Sequence, residues 1–74
     1  MTDVRAELAG NVWKVHAREG DVLENETTII ILECMKMEIP ITAGPGVLRE
    51  LRVTEGGTVQ EGQVLAVVAE TLQQ

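Results

Sequence analysis

Aromatic side chains are almost missing: Trp13 stands alone, with no Tyr and no Phe. Cys34 is the single cysteine, so no internal disulfide can form. His16 is the single histidine, which rules out a His/Cys metal cluster. There is no basic stripe either. Six Lys and Arg are scattered among twelve acids, a net charge of −6 that argues against a nucleic-acid ligand. No apolar run is long enough to span a bilayer. The start, Met1-Thr2-Asp3-Val4-Arg5, carries no apolar stretch of the signal-peptide kind. A cytoplasmic protein is expected, which also suits an unpaired thiol.

Aliphatic residues supply what the aromatics and staples do not. Val, Ile and Leu number 22 of 74 residues, a β-branched mixture that favours strands packed into a compact core. At this length one small domain over 1–74 is expected, with a core over about residues 4–69. Such a domain buries only about 60% of its unfolded surface, so its stability margin is thin.

An internal repeat organises the chain. At an offset of 36 residues, Gly10 pairs with Gly46, Glu19 with Glu55 and Gly20 with Gly56. Apolar positions follow in the same frame: Val12 with Leu48, Val15 with Leu51, Ala17 with Val53, Leu23 with Val59, Ile29 with Leu65, Ile31 with Val67, and Leu32 with Val68. Each half reads as short strands broken by turns. Val4 to Leu8 alternates with a period of two, as a half-buried strand should. Gly10-Asn11 reads as a turn, Val12 to Ala17 as a strand, Glu19-Gly20-Asp21 as a second turn, and Thr27 to Leu32 as a buried strand. The second half repeats the plan: a turn at Gly44-Pro45-Gly46, a strand over Val47 to Val53, a turn at Glu55-Gly56-Gly57, a short strand near Val59, a turn at Glu61-Gly62, and a strand over Val64 to Ala69. Thr71 to Gln74 read as a frayed tail. A helix over Thr2 to Leu8 is the competing reading, but Gly10 and the β-branched positions beyond it cut it to under three turns. The expected fold is all-β: a flattened antiparallel barrel-sandwich hybrid of two four-stranded sheets with pseudo-twofold symmetry.

The halves meet at Glu33-Cys34-Met35-Lys36-Met37-Glu38. A strand ends before this segment and another begins after it, so it predicts a β-hairpin with Met35-Lys36 at the tip. A lysine there holds its amine out in solvent on a short, well-anchored mount. That geometry suits display to other enzymes.

Met35-Lys36-Met37 resembles the (Ala/Ser)-Met-Lys-Met hairpin of the biotinyl domains found in biotin carboxyl carrier proteins and biotin-dependent carboxylases. Glu33 stands where that family commonly has Glu or a similar polar residue, and Gly20, Gly46, Gly56 and Gly62 fall at its recurrent turns. The resemblance covers about Val4 to Val68 without gaps, and is strongest to the small stand-alone biotin/lipoyl attachment proteins. Three departures stand out. Cys34 replaces the usual Ala or Ser. Glu26 occupies the position whose repeat mate is Gly62; Asn25, more tolerant of the left-handed conformation, precedes it, so a turn shifted by one residue is expected. Val15 to Gly20 is too short for the protruding thumb of some bacterial carriers.

The resemblance implies a carrier rather than a catalyst. A biotin protein ligase would activate biotin as an acyl-adenylate, to be attacked by the amine of Lys36. Lysine amines are mostly protonated at neutral pH, and Glu33 and Glu38, if close, favour the ammonium. Activation therefore falls to the ligase. The loaded arm would then carry carboxylate from a biotin carboxylase to a carboxyltransferase, tethering keeping it concentrated at each. Met35 and Met37 would offer adaptable apolar contacts to the ligase or later partners, and the acidic surface is expected to keep the protein monomeric. Two alternatives share the fold. A lipoyl carrier, or a dual acceptor, is one; lipoyl motifs usually read Asp-Lys-Ala, whereas methionines flank Lys36. An unmodified interaction module is the other.

The remaining features have plainer readings. Met-Lys-Met recurs by chance, and only its place between the repeats gives it weight. Cys34 reads as a small packing residue under the turn, since Glu33 and Glu38 offset the positive charge an activated thiol needs. His16 is a surface or edge residue, and Trp13, whose repeat mate is Arg49, a partly exposed strand residue. Glu19-Gly20-Asp21 lacks the alternating carboxylates of a calcium loop.

Overall fold

The computed structural model describes residues 1–70; the expected tail lies outside the described residues. Eight strands follow in order: β1 (Thr2–Arg5), β2 (Gly10–Val15), β3 (Val22–Leu23), β4 (Thr27–Cys34), β5 (Met37–Ala43), β6 (Gly46–Leu51), β7 (Thr58–Val59) and β8 (Val64–Glu70). They form two four-stranded antiparallel sheets, ordered β1-β8-β6-β3 and β5-β4-β2-β7, with no helix among the described residues. The all-β expectation holds.

Neither sheet belongs to one repeat. β1 and β3 of the first half lie against β8 and β6 of the second, while β7 and β5 of the second half lie against β2 and β4 of the first. The repeat register survives this interleaving. β2 meets β4 through Asn11–Glu33, Val12–Leu32, Lys14–Ile31 and Val15–Ile30. Adding 36 to each number gives the pairs of β6 with β8: Val47–Ala69, Leu48–Val68, Glu50–Val67 and Leu51–Ala66. Even the bulge recurs, at Trp13 in one sheet and at Arg49 in the other. A bulge bends and twists its strand, and Trp13, 44% exposed, turns outward there with the Lys14 ammonium 5.5 Å from its ring centre.

The turns lock the halves together in mirrored pairs. Gly20 N–H donates to Leu48 O at 2.7 Å, and Gly56 N–H to Val12 O at 2.8 Å. Glu19 accepts a hydrogen bond from Leu51 N–H at 3.0 Å; Glu55 accepts one from Val15 N–H at 2.9 Å. Between the sheets lies a core of Val12, Leu23, Ile29, Ile30, Leu32, Leu48, Val59, Leu65, Ala66 and Val68, closed by Ala6, Ala17 and Cys34. Ile29 and Ile30 are both fully buried although they are consecutive, because a register shift between Thr28 and Ile30 turns two neighbours to one side. Leu65 and Ala66 repeat the arrangement opposite the Val4/Arg5 shift.

Several boundaries differ from expectation, each for a local reason. The first strand spans Thr2–Arg5 rather than Val4 to Leu8, because the shift at Arg5 ends the ladder. Ala6 then bonds to Gln63 O and Gly62 N–H instead. Gly10 opens β2 and is no turn. A Cβ there would sit 2.5 Å from Glu33 O and 2.6 Å from Cys34 Sγ, so the residue must be glycine for close approach. The strands expected to run to Ala17 and Val53 stop at Val15 and Leu51, where a carboxylate takes the N–H. Finally, the Asn25-Glu26 turn does not shift. Glu26 itself takes φ 54°, in register with Gly62 at 83°.

Candidate functional site

Among the described residues β4 and β5 form the longest ladder, running from Thr27–Ala43 to Cys34–Met37. Only Met35 and Lys36 lie beyond its last rung. A two-residue hairpin loop matches the twist of its strands when both loop residues have positive φ, the type I′ geometry that favours Asn-Gly. Here the residues are Met35 at 52° and Lys36 at 66°. Each L side chain in the left-handed region costs roughly 1–2 kcal/mol. The length and strength of the ladder below are what hold this turn in place.

The rungs sort the neighbouring side chains. Cys34 and Met37 are opposite each other and face the sheet interior; Cys34 is 1% exposed and Met37 55%. Below the turn, Cys34 Sγ meets the face of Gly10, so the thiol packs and is shielded. One rung further down, Glu33 and Glu38 stand directly opposite on the outer side, both exposed. Like charges in this relation are destabilising. Met35 is 89% exposed and Lys36 is exposed beside it. The ion pairs among the described residues are Arg5–Asp3 and Arg52–Glu50, so neither hairpin glutamate holds the Lys36 ammonium within bridging distance.

All five residues singled out in the sequence therefore come together at one tip: Glu33, Cys34, Met35, Lys36 and Met37. What the sequence reading missed is the cross-strand partnership of Glu33 with Glu38 and the left-handed backbone of Met35 and Lys36. A two-residue loop between strands carries both signals, since loop length fixes turn type and register together. Lys14, the other lysine, differs throughout: it lies within β2, beside the Trp13 ring.

An exposed primary amine on a strained but well-supported turn fits covalent acylation. Among the described residues no acid bridges the amine and none covers the tip, where Met35 is 89% exposed, and the flanking methionines are apolar and adaptable. Among the described residues no group of His, Cys, Asp or Glu is arranged to hold a metal ion, and no helix is long and apolar enough to cross a membrane.

Comparison with known proteins follows the same line. The family described as "Biotin-requiring enzyme", the biotin/lipoyl domain, matches residues 2–68. A biotin/lipoyl attachment protein of Bacillus subtilis (strain 168) is 45% identical over 71 residues, covering 95% of this chain and 97% of the relative. A biotinylated protein TB7.3 homolog of Mycobacterium leprae (strain TN) is 40% identical over 68 residues, covering 90% of this chain and 96% of the relative. Among solved structures, a single-chain, multi-domain long-chain acyl-CoA carboxylase superposes with a TM-score of 0.89 at 33% identity. That match takes in 97% of this chain but 7% of the carboxylase, so the likeness is to one small part of a large enzyme.

Proposed function

This chain belongs to the biotin/lipoyl attachment family, and from that premise we propose that it is a biotin carboxyl carrier whose Lys36 Nζ receives biotin in amide linkage. The observation that carries the reading is the Lys36 amine at the tip of the β4–β5 hairpin, exposed and unbridged. Bound biotin supplies a ureido nitrogen that takes up and releases a carboxyl group. The protein's own part is mechanical. The ladder fixes the root of the arm, the left-handed turn aims it away from the sheet, and the two methionines give partner enzymes an apolar grip. Lys36 gives up its proton within the site of a biotin protein ligase and displaces the activating group there. This domain brings no general base of its own.

The same arrangement serves later partners, a biotin carboxylase and a carboxyltransferase, by keeping the loaded group at high local concentration near each. The proposal places the protein in the cytoplasm as a monomer between visits. A dual role with lipoate has one specific support, the biotin/lipoyl attachment protein that matches nearly end to end.

The test is intact-mass analysis and a streptavidin blot of protein from its native host, with Lys36→Ala and Lys14→Ala beside wild type. Biotin on wild type and Lys14→Ala, and none on Lys36→Ala, is the expected result. Biotin retained by Lys36→Ala refutes the site. A lipoyl mass in place of biotin replaces the cofactor and keeps the site.

A further inference from the structure

The outer face of the β5-β4-β2 sheet runs down from the Lys36 turn, and its side chains sort into rows. Nearest the turn stand Glu33 and Glu38, opposite each other. Two residues further along, roughly 7 Å at about 3.3 Å per residue, Ile31 and Pro40 are opposite each other. The β2 bulge sets both Trp13 and Lys14 beside Ile31. Trp13 is 44% exposed, Pro40 is exposed and Ile31 is half-buried. An apolar band thus lies directly behind an acid pair. Resting on the reading that Lys36 carries biotin, we propose that this face docks the enzyme that carboxylates the loaded arm, a biotin carboxylase whose matching surface is apolar and ends in a guanidinium over Glu33 and Glu38.

The other sheet shows that the fold does not require such a face. Adding 36 to Trp13, Lys14 and Ile31 gives Arg49, Glu50 and Val67. Opposite Val67 on β1, as Pro40 is opposite Ile31, stands Asp3. Charges in that row are paired within the chain: Arg52 donates to Glu50 at 2.8 Å, and Arg5 to Asp3 at 3.4 Å. Its apolar member is covered, Val67 being 6% exposed. On the hairpin sheet no ion pair among the described residues takes in Glu33, Glu38 or Lys14, and the apolar side chains stay open. The repeat makes two such faces, and the one beside Lys36 is left unfinished. Pro40 has no N–H to offer an added strand, so a partner meets the face of β5 rather than its edge.

Charge selects the partner. A ligase meets Lys36 as a cation, and a carboxyltransferase meets the arm as a carboxylate. Of the three enzymes, only the biotin carboxylase meets an uncharged tip, because the amide has replaced the ammonium and biotin brings no charge. Glu33 and Glu38 are then the only charges among residues 33–38. Residues directly opposite have Cα atoms about 4.5–5.5 Å apart, close enough for one planar guanidinium to bridge both carboxylates. Like charges so placed repel, and the bridge relieves that repulsion. Loading therefore leaves the acid pair uncompensated and steers a cationic partner to loaded carrier in preference to bare. Behind the pair, Trp13 is an exposed aromatic anchor of the kind on which interface affinity concentrates.

The experiment titrates nitrogen-15-labelled protein, biotinylated by a purified ligase, with biotin carboxylase purified from the native host. Trp13 is the sole tryptophan, so its indole N–H is a single resonance. Docking is expected to shift that resonance and the amides of Ile31, Glu33 and Glu38. Shifts confined to residues 35–37 overturn the docking face and leave biotin attachment standing. The same shifts with a carboxyltransferase and none with the carboxylase overturn it too, as do shifts on concentrating the protein alone, which assign the face to a second copy. Trp13→Thr keeps a strand-forming residue at the surface. It should raise the carboxylase's KM for loaded carrier about tenfold, the scale of an interface anchor, and hold kcat. An unchanged KM in the folded variant, or an equal fall in loading by the ligase, overturns the proposal. Among bare carriers, Lys36→Gln removes the charge as loading does, and should bind the carboxylase about threefold more tightly than Lys36→Arg at low salt. Equal affinities overturn the assignment to this enzyme. A chain that the ligase cannot load at Lys36 overturns the carrier reading itself.

Discussion

Residues 10–34 and 46–70 carry the same strand pairs, the same bulge and the same crossing hydrogen bonds. They differ where the first half ends. Cys34 leads through a two-residue left-handed turn into a new strand, and that turn holds Lys36. The scaffold is thus made twice, and the candidate site is made once. What the duplicated parts share is stability; what they do not share is the place to look for function. Four pairs of substitutions sharpen or break that division.

The largest effect is expected at Gly46. A Cβ there would run into Ala69 O and the Val68 side chain, and its φ of 154° lies at the edge of the range that disfavours L side chains. Its mate Gly10 is crowded as tightly, by Glu33 O and Cys34 Sγ, without a left-handed backbone. Overpacking of this kind costs about 1–3 kcal/mol, and backbone strain adds roughly 1 more. Gly46→Ala should therefore lower stability by about 2–4 kcal/mol and Gly10→Ala by about 1 kcal/mol less, read from urea midpoints. The opposite order would mean the halves are not equivalent supports.

The unique turn should behave in the reverse sense. Met35→Asn with Lys36→Gly installs the residues that a type I′ turn favours, relieving two strained positions for a gain of about 2 kcal/mol. Thermal unfolding of the double variant should show a higher midpoint, with biotin acceptance gone. An unchanged or lowered midpoint would show that the turn carries no strain. Natural sequences give up such local consistency mainly where function demands it.

Glu19 and Glu55 test the crossing bonds. Each carboxylate accepts one backbone N–H from the other half, at 3.0 and 2.9 Å. Replacing either with Ala should cost about 1 kcal/mol, the usual net value of such a bond. The two losses should agree within about 0.5 kcal/mol, measured by denaturant titration. A gap larger than that would place unequal load on the two seams.

Much of this was legible in the sequence because the repeat made each element visible twice. Gly20 with Gly56 and Glu19 with Glu55 marked the turns, and the apolar pairs marked the buried faces. The hairpin tip was legible as well, since Met35-Lys36 falls between two strands with no room for anything longer. The exchange of edge strands between sheets was not, because periodicity within a segment says nothing about which segment pairs with it. Gly10 misled for a physical reason: one letter stands both for a turn and for a tight crossing, and only Cys34 and Glu33 beside it decide which.

Glu26 and Gly62 provide the finest test of equivalence. Both occupy the left-handed region at matching turns, at 54° and 83°. Glycine enters it without a steric penalty, whereas Glu26 bears roughly 1–2 kcal/mol of strain. Glu26→Gly removes that strain but loosens the unfolded chain by about 0.4–1 kcal/mol, leaving a net gain of about 0.5 kcal/mol. Gly62→Ala runs the other way: a Cβ at Gly62 meets no atom within 4 Å, so strain acts alone. It should cost about 0.5–1 kcal/mol after the same unfolded-state correction. Opposite signs from these two exchanges, read from denaturant midpoints, would show that the turns are one structural position carrying two residues. A loss from both would mean that Glu26 does something for the first half that Gly62 never needed to do for the second.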